Sequence, residues 1–231
     1  MRDAIRAEIL KARSGFWLLA VLAYAVLLPL GVWRFSGVEL SDTRLMLGCL
    51  AACPVAATFL GGYLVTRDYY YRSIERGVLL HRKSHLYLAK LIAGAVSGLV
   101  TGLVGALGWS LVTWLVLRSG FDTGWSTWAT LLGCLLACTL AGVFGVAIGW
   151  ILRDYYFAAG VSFLLPFAIE LPLLFLRPSI GRFLPNDVFA GLIQAPLPSL
   201  LPVWLSLLIA VAWVGVTSFA GLRLFLRREV L

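Results

Sequence analysis

Six apolar runs, at about residues 16–33, 45–66, 89–117, 128–152, 157–176 and 200–226, take up most of this chain. A helix needs roughly 20 such residues to cross the hydrocarbon core of a bilayer. Strands of a membrane barrel would alternate apolar and polar positions over about 10 residues, and these runs do not. Charged residues make up only 13% of the sequence and hydrophobic ones 61%. A soluble fold of 231 residues cannot hide so much apolar surface, whereas lipid removes the need to. The expected fold class is therefore an all-α membrane protein with six transmembrane helices, as one transmembrane domain over residues 1–231. The N-terminus reads as a retained first span, because no Ala-x-Ala-like site follows the run at 16–33.

Lys and Arg asymmetry sets the orientation. With the N-terminus inside, fourteen of the nineteen basic residues fall on the inner side, leaving Arg34, Arg44, Arg118, Arg177 and Arg182 outside. Both termini are expected in the cytoplasm. The formal charge of +8 is then a matter of topology, not of nucleic acid: no basic patch interleaved with aromatics lies outside the membrane-flanking segments.

Two parts do not span. Residues 2–15 place Ile5, Ile9 and Ala12 on one helical face with charges on the other, the pattern of a helix lying in the interface. The outer segment 177–199 is apolar and punctuated by Pro178, Pro185, Pro196 and Pro198. It is expected to pack back on the spans as a re-entrant hairpin, with Asn186 or Asp187 capping a short helix.

Recognisable catalytic motifs are missing. No Gly-x-x-x-x-Gly-Lys-Ser/Thr loop occurs, so the chain does not bind ATP in the P-loop manner. His81 and His85 flank Arg82 and Lys83 in an inner loop, with no carboxylate or thiol beside them and out of reach of membrane serines such as Ser110 or Ser162. No resident metal is expected there. Cys49 and Cys53, and Cys134 and Cys138, form two pairs spaced four apart. Each pair shares a helix face; four thiolates suit a soft metal, and small apolar side chains suit close helix contact. Gly94, Gly98 and Gly102 form a packing ridge of the same kind. Glu170 is the one acid inside a span. A charge there costs on the order of 2.5–3.5 kcal/mol, so it serves either translocation or a hydrogen bond to the outer hairpin.

The stretch 66–90, with the loop proper at 67–88, is longer than a turn requires. It runs from a polar exit through Ile74, Val78, Leu79 and Leu80 to a basic break and an amphipathic lead-in ending at Lys90. A short helix there would present Ile74, Val78 and Leu79 to a soluble partner. In order, Asp68-Tyr69, Ser73-Ile74, Leu79-Leu80, Arg82-Lys83-Ser84 and Ala89-Lys90 resemble the second-to-third loop of the ABC type-2 permease family, the membrane subunits of ATP-binding-cassette exporters. The wider layout is similar as well, including Leu184-Pro185-Asn186 in the hairpin before the last span. The chain departs from that pattern at Arg72, where the family usually has Gly.

The resemblance implies a permease subunit, working as a dimer with a second copy or a related permease in a bacterial cytoplasmic membrane. It implies separate P-loop ATPase subunits that carry the ATP and Mg, so this chain itself would be no enzyme and hold no cofactor. It implies a coupling helix around Ile74, Glu75, Val78, Leu79 and Leu80, braced by the N-terminal helix. An intramembrane enzyme, or a non-transporting scaffold or immunity protein, are the competing readings. The first needs a set of catalytic groups that cannot be assembled around Glu170; the second needs no ATPase.

The tetrapeptide Arg-Asp-Tyr-Tyr occurs twice, at 67–70 and 153–156, each time after a Gly-Cys-Leu-x-Ala-Cys element. Each copy ends a descending span, so Arg67, Asp68, Arg153 and Asp154 read as membrane-exit anchors. Duplication and similar position are both sufficient causes.

Overall fold

The computed structural model describes residues 2–13, 16–36, 43–80, 82–117, 122, 124–197 and 199–227. His81, Arg118, Pro198, Arg228 and the end of the expected 2–15 helix lie outside them. Helices account for nearly all of these residues. They are α1 (Arg2–Arg13), α2 (Phe16–Ser36), α3 (Thr43–Gly48), a 3-10 turn (Cys49–Ala52), α4 (Cys53–Tyr70), α5 (Ile74–Leu80), α6 (Lys83–Leu117) and α7 (Trp125–Leu152). Then follow α8 (Tyr155–Leu164), a π-helical segment (Leu165–Glu170), α9 (Leu171–Leu176), α10 (Pro178–Gly181), α11 (Pro185–Leu192) and α12 (Val203–Arg227).

Among the described residues, five helical stretches are long and apolar enough to cross a membrane: Met46–Tyr70, Lys83–Val116, Trp125–Leu152, Tyr155–Leu176 and Val203–Arg227. The chain is an integral membrane protein. Leu107, Leu111, Trp114, Leu208, Val211 and Phe219 point outward from α6 and α12, more than half exposed. Such a surface is stable only against lipid tails. Trp125, Trp128 and Trp204 are exposed near one end of the bundle, where an indole suits the headgroup level. The opposite end carries Arg67, Arg76, Arg82, Arg153 and Arg223 and is called the basic end below.

Helix α4 is the centre of the bundle and packs most extensively on α7, which also contacts α6 and α12. The approach is close because glycines line it. A β-carbon at Gly61 would overlap the Gly142 carbonyl, and one at Gly145 would overlap the Thr58 carbonyl. The ridge of Gly94 and Gly98 on α6 meets α7 at Gly142 and Cys138. With no hydrophobic drive between helices in lipid, such backbone contact supplies the packing energy. Gly61→Val should therefore lower the thermal unfolding midpoint sharply, costing about 1–3 kcal/mol or more. Gly215→Val, at a site with nothing within 4 Å, should leave the midpoint nearly unchanged.

The all-helical class agrees with the sequence, but several elements differ in detail. Helix α6 is 35 residues, about 50 Å long, so it begins well before residue 89. Helix α4 continues through Tyr70, which shortens the connecting loop. The fifth apolar run is interrupted by a π-helical segment. Pro166 and Pro172 lack the N–H that would bond the fourth residue back, and the intervening turn widens. Arg72 adopts φ 53°, the left-handed region that favours glycine.

Candidate functional site

Four charged side chains meet inside the basic end. Lys90, on α6, is fully buried. Its Nζ donates to Glu8 Oε2 of α1 at 2.9 Å, to Asp68 Oδ2 of α4 at 2.6 Å and to the Leu64 carbonyl at 2.8 Å. Lys11 adds 2.8 Å to Glu8 and 3.4 Å to Asp68. All three ammonium donors of Lys90 are thus placed, and two cations balance two anions. A buried ion group persists only when so compensated. Burial by itself would lower the Lys11 ammonium; the Glu8 hydrogen bond and the charges of Asp68 and Glu8 outweigh it and raise it.

The cluster is joined directly to α5. Ser73 Oγ donates to Asp68 Oδ1 at 2.9 Å, and the Ser73 amide donates to the Asp68 carbonyl at 2.8 Å. Ser73 immediately precedes Ile74, the first residue of α5. Arg67 reaches back to the Lys11 carbonyl at 3.3 Å. Helices α1, α4, α5 and α6 are therefore tied at one point.

Helix α5 has two unlike faces. Ile74 is buried in one apolar cluster with Val65, Leu86, Tyr87, Val146, Trp150 and Phe225, and Val78 packs against that cluster. The expectation that Ile74 faces a soluble partner is corrected: it anchors α5 to the bundle. Leu79 and Leu80 project outward, 85% and 77% exposed, and Glu75 is exposed beside them. The sequence run of four apolar residues conceals this split, because a seven-residue helix turns Ile74 and Leu79 to different sides.

The expected division of α1 into an apolar and a charged face also needs correction. Among its described side chains Ala4 and Glu8 are buried, while Ile5 and Ile9 are half-buried; Ala12 lies outside those described. Glu8 lies one turn from Ile5, at the centre of the face read as apolar. A lone carboxylate on that face, and a lysine opening an apolar span, are the marks of this pair in the sequence.

The two Arg-Asp-Tyr-Tyr copies do different work. Asp68 belongs to the ion cluster, whereas Asp154 is exposed and caps α8 by accepting from the Phe157 amide at 2.7 Å. Arg153 ends α7 in the left-handed region at φ 60°, and its guanidinium lies 5.3 Å from the centre of the Tyr69 ring. Tyr70 packs against Tyr155 and Tyr156, 6.0 and 6.3 Å between ring centres. The copies thus meet across α4 and the α7–α8 turn.

At the opposite end, Glu170 is buried in the π-helical segment and accepts from the Asn186 amide at 2.8 Å and from Asn186 Nδ2 at 3.3 Å. The side-chain cap expected from Asn186 or Asp187 is absent; N-cap Leu184 makes no such bond, and Glu170 serves the α11 N-terminus from another element. This is the hydrogen bond to the outer segment weighed above. Asp187 is buried next to it, and burial, then the Glu170 charge, push its carboxyl up to about 7 from 3.8. A raised folded-state value means stability that is full below about 4 and lost as pH rises through about 7. Asp187→Asn should flatten the dependence of the unfolding midpoint on pH across this window.

The four cysteines lie in the core around α4 and α7, all buried and none of them in a disulfide. Cys53 contacts Cys134, and Cys134 contacts Cys138, so the two pairs meet. Cys53 also donates to the Ala25 carbonyl at 3.2 Å. Among the described residues no three His, Cys, Asp or Glu side chains are arranged to hold a metal ion. No protein-family model and no curated protein matches this chain.

Proposed function

We propose that this chain is the membrane subunit of an ATP-driven exporter, of the ABC type-2 permease class, in a bacterial cytoplasmic membrane. In this reading α2 is the first of six spans, both termini are cytoplasmic, the basic end faces the cytoplasm, and α10–α11 form an outer re-entrant hairpin. Two permease subunits line the path, and separate P-loop ATPases supply ATP and Mg.

The observation that carries the reading is α5. An exposed Leu79-Leu80 pair on a short helix is costly in water and suits a groove on a soluble partner. Ile74 fixes that helix to the bundle, and Asp68 and Lys90 fix its root to α1, α4 and α6. A push on Leu79 is then passed to three helices together and is not absorbed by a loose loop. Glu75 would add a charged contact at the same surface. Affinity purification of the tagged chain from its own membranes tests the proposal. A co-purifying P-loop protein, with ATP hydrolysis in the purified complex, is the expected result; repeated purification without one overturns it.

A further inference from the structure

A cavity of about 570 Å³ opens between α2, the 3-10 turn, the π-helical segment, α9 and α11. That is well within the roughly 300–1,000 Å³ of small-molecule sites. Its walls are apolar side chains such as Leu28, Val55, Phe167 and Phe175. Its polar side chains are Asn186 and Asp187 at the start of α11 and Tyr24 on α2. Asp187 is 4% exposed, yet its Oδ2 has no hydrogen-bond partner, and neither has Asn186 Oδ1. Buried acceptors are almost always satisfied. Both residues line the cavity, and Asp187, the acid among its described lining residues, marks where a cationic donor belongs. Glu170 cannot supply one, being an acceptor itself and occupied by Asn186. Arg177 and Arg182, the basic residues nearest in sequence, do not line the cavity.

We propose that this cavity binds amphiphilic amines, with the ammonium group donating to the Asp187 carboxylate and the apolar body lying along α2 and α9. An anion would be repelled by that carboxylate, and a plain hydrocarbon would leave it without a counter-charge. A protonated amine donates to the carboxylate and neutralises it. The π-helical segment contributes by turning Pro166 and Phe167 to the cavity wall while it aims Glu170 at the α11 amides. The assignment does not depend on the exporter proposal. If that proposal also holds, the cavity names the cargo class.

The test uses the full chain alone, in nanodiscs of zwitterionic lipid at pH 8, with empty nanodiscs as the blank. Tritiated 4-phenylbutylamine and 4-phenylbutanol are the probes, and no ATPase is present, so failure here is distinct from failure to find an ATPase. The amine should bind saturably and about 10-fold or more tighter than the alcohol, the scale of a hydrogen bond to a charged group. Asp187→Asn should abolish that preference, and Ala190→Phe, which fills the cavity, should abolish binding of both. Equal binding of amine and alcohol to the unmodified chain would overturn the proposal without recourse to any variant. So would amine binding unaffected by Asp187→Asn in protein that still melts cooperatively.

Discussion

Replacing Lys90 with methionine should destabilise the chain by about 3–5 kcal/mol, the cost of stripping a partner from buried charges. Glu8 and Asp68 would share a dry site with Lys11 alone, and the Leu64 carbonyl would lose its donor. The readout is the thermal unfolding midpoint in detergent, combined with protease sensitivity of α1. Helix α1 should become cleavable before the bundle unfolds, since its buried tie is Glu8. The triple variant Lys90→Met, Glu8→Gln, Asp68→Asn should recover much of the loss, because neutral groups of similar size need no counter-charge. If Lys90→Met alone is neutral, the cluster does not hold these helices together.

The second large effect separates the two faces of α5. Leu79→Asp should leave insertion and unfolding unchanged, since that side chain touches little of the bundle, and should abolish recovery of an ATPase with the tagged chain. Ile74→Asp should do something else. It buries a carboxylate among Val65, Trp150 and Phe225, so it should unfold the basic end and lose any partner as a consequence. Unchanged partner recovery with Leu79→Asp would remove α5 from the coupling role.

The helices were legible because lipid demands uninterrupted apolar runs, and those runs are in the sequence whatever the packing. Orientation of side chains within a short helix was not. Ile74, Val78, Leu79 and Leu80 look alike as a string, and only the cleft left by α4, α6 and α7 decides that Ile74 turns inward. The cluster of Glu8, Asp68 and Lys90 joins positions 8, 68 and 90, and nothing local to any of them names the others. A single charge on a face otherwise apolar was the one visible hint. The same holds for Glu170: its isolation in an apolar run was plain, but that it caps α11 follows from the outer segment folding back upon it. The repeated Arg-Asp-Tyr-Tyr was the most conspicuous pattern and the least uniform in use. Asp68 holds a lysine and a serine inside the fold, and Asp154 caps a helix in the open.

The coupling role proposed for α5 requires that Leu79 and Leu80 seat a separate ATPase. The direct measurement is photo-crosslinking in intact membranes, with a photoreactive residue at position 79 and, as control, at position 107 on the exposed face of α6. The account predicts that position 79 captures a P-loop ATP-binding polypeptide and that position 107 does not. Capture of no ATP-binding polypeptide from position 79, in membranes where the chain is folded and abundant, would contradict it.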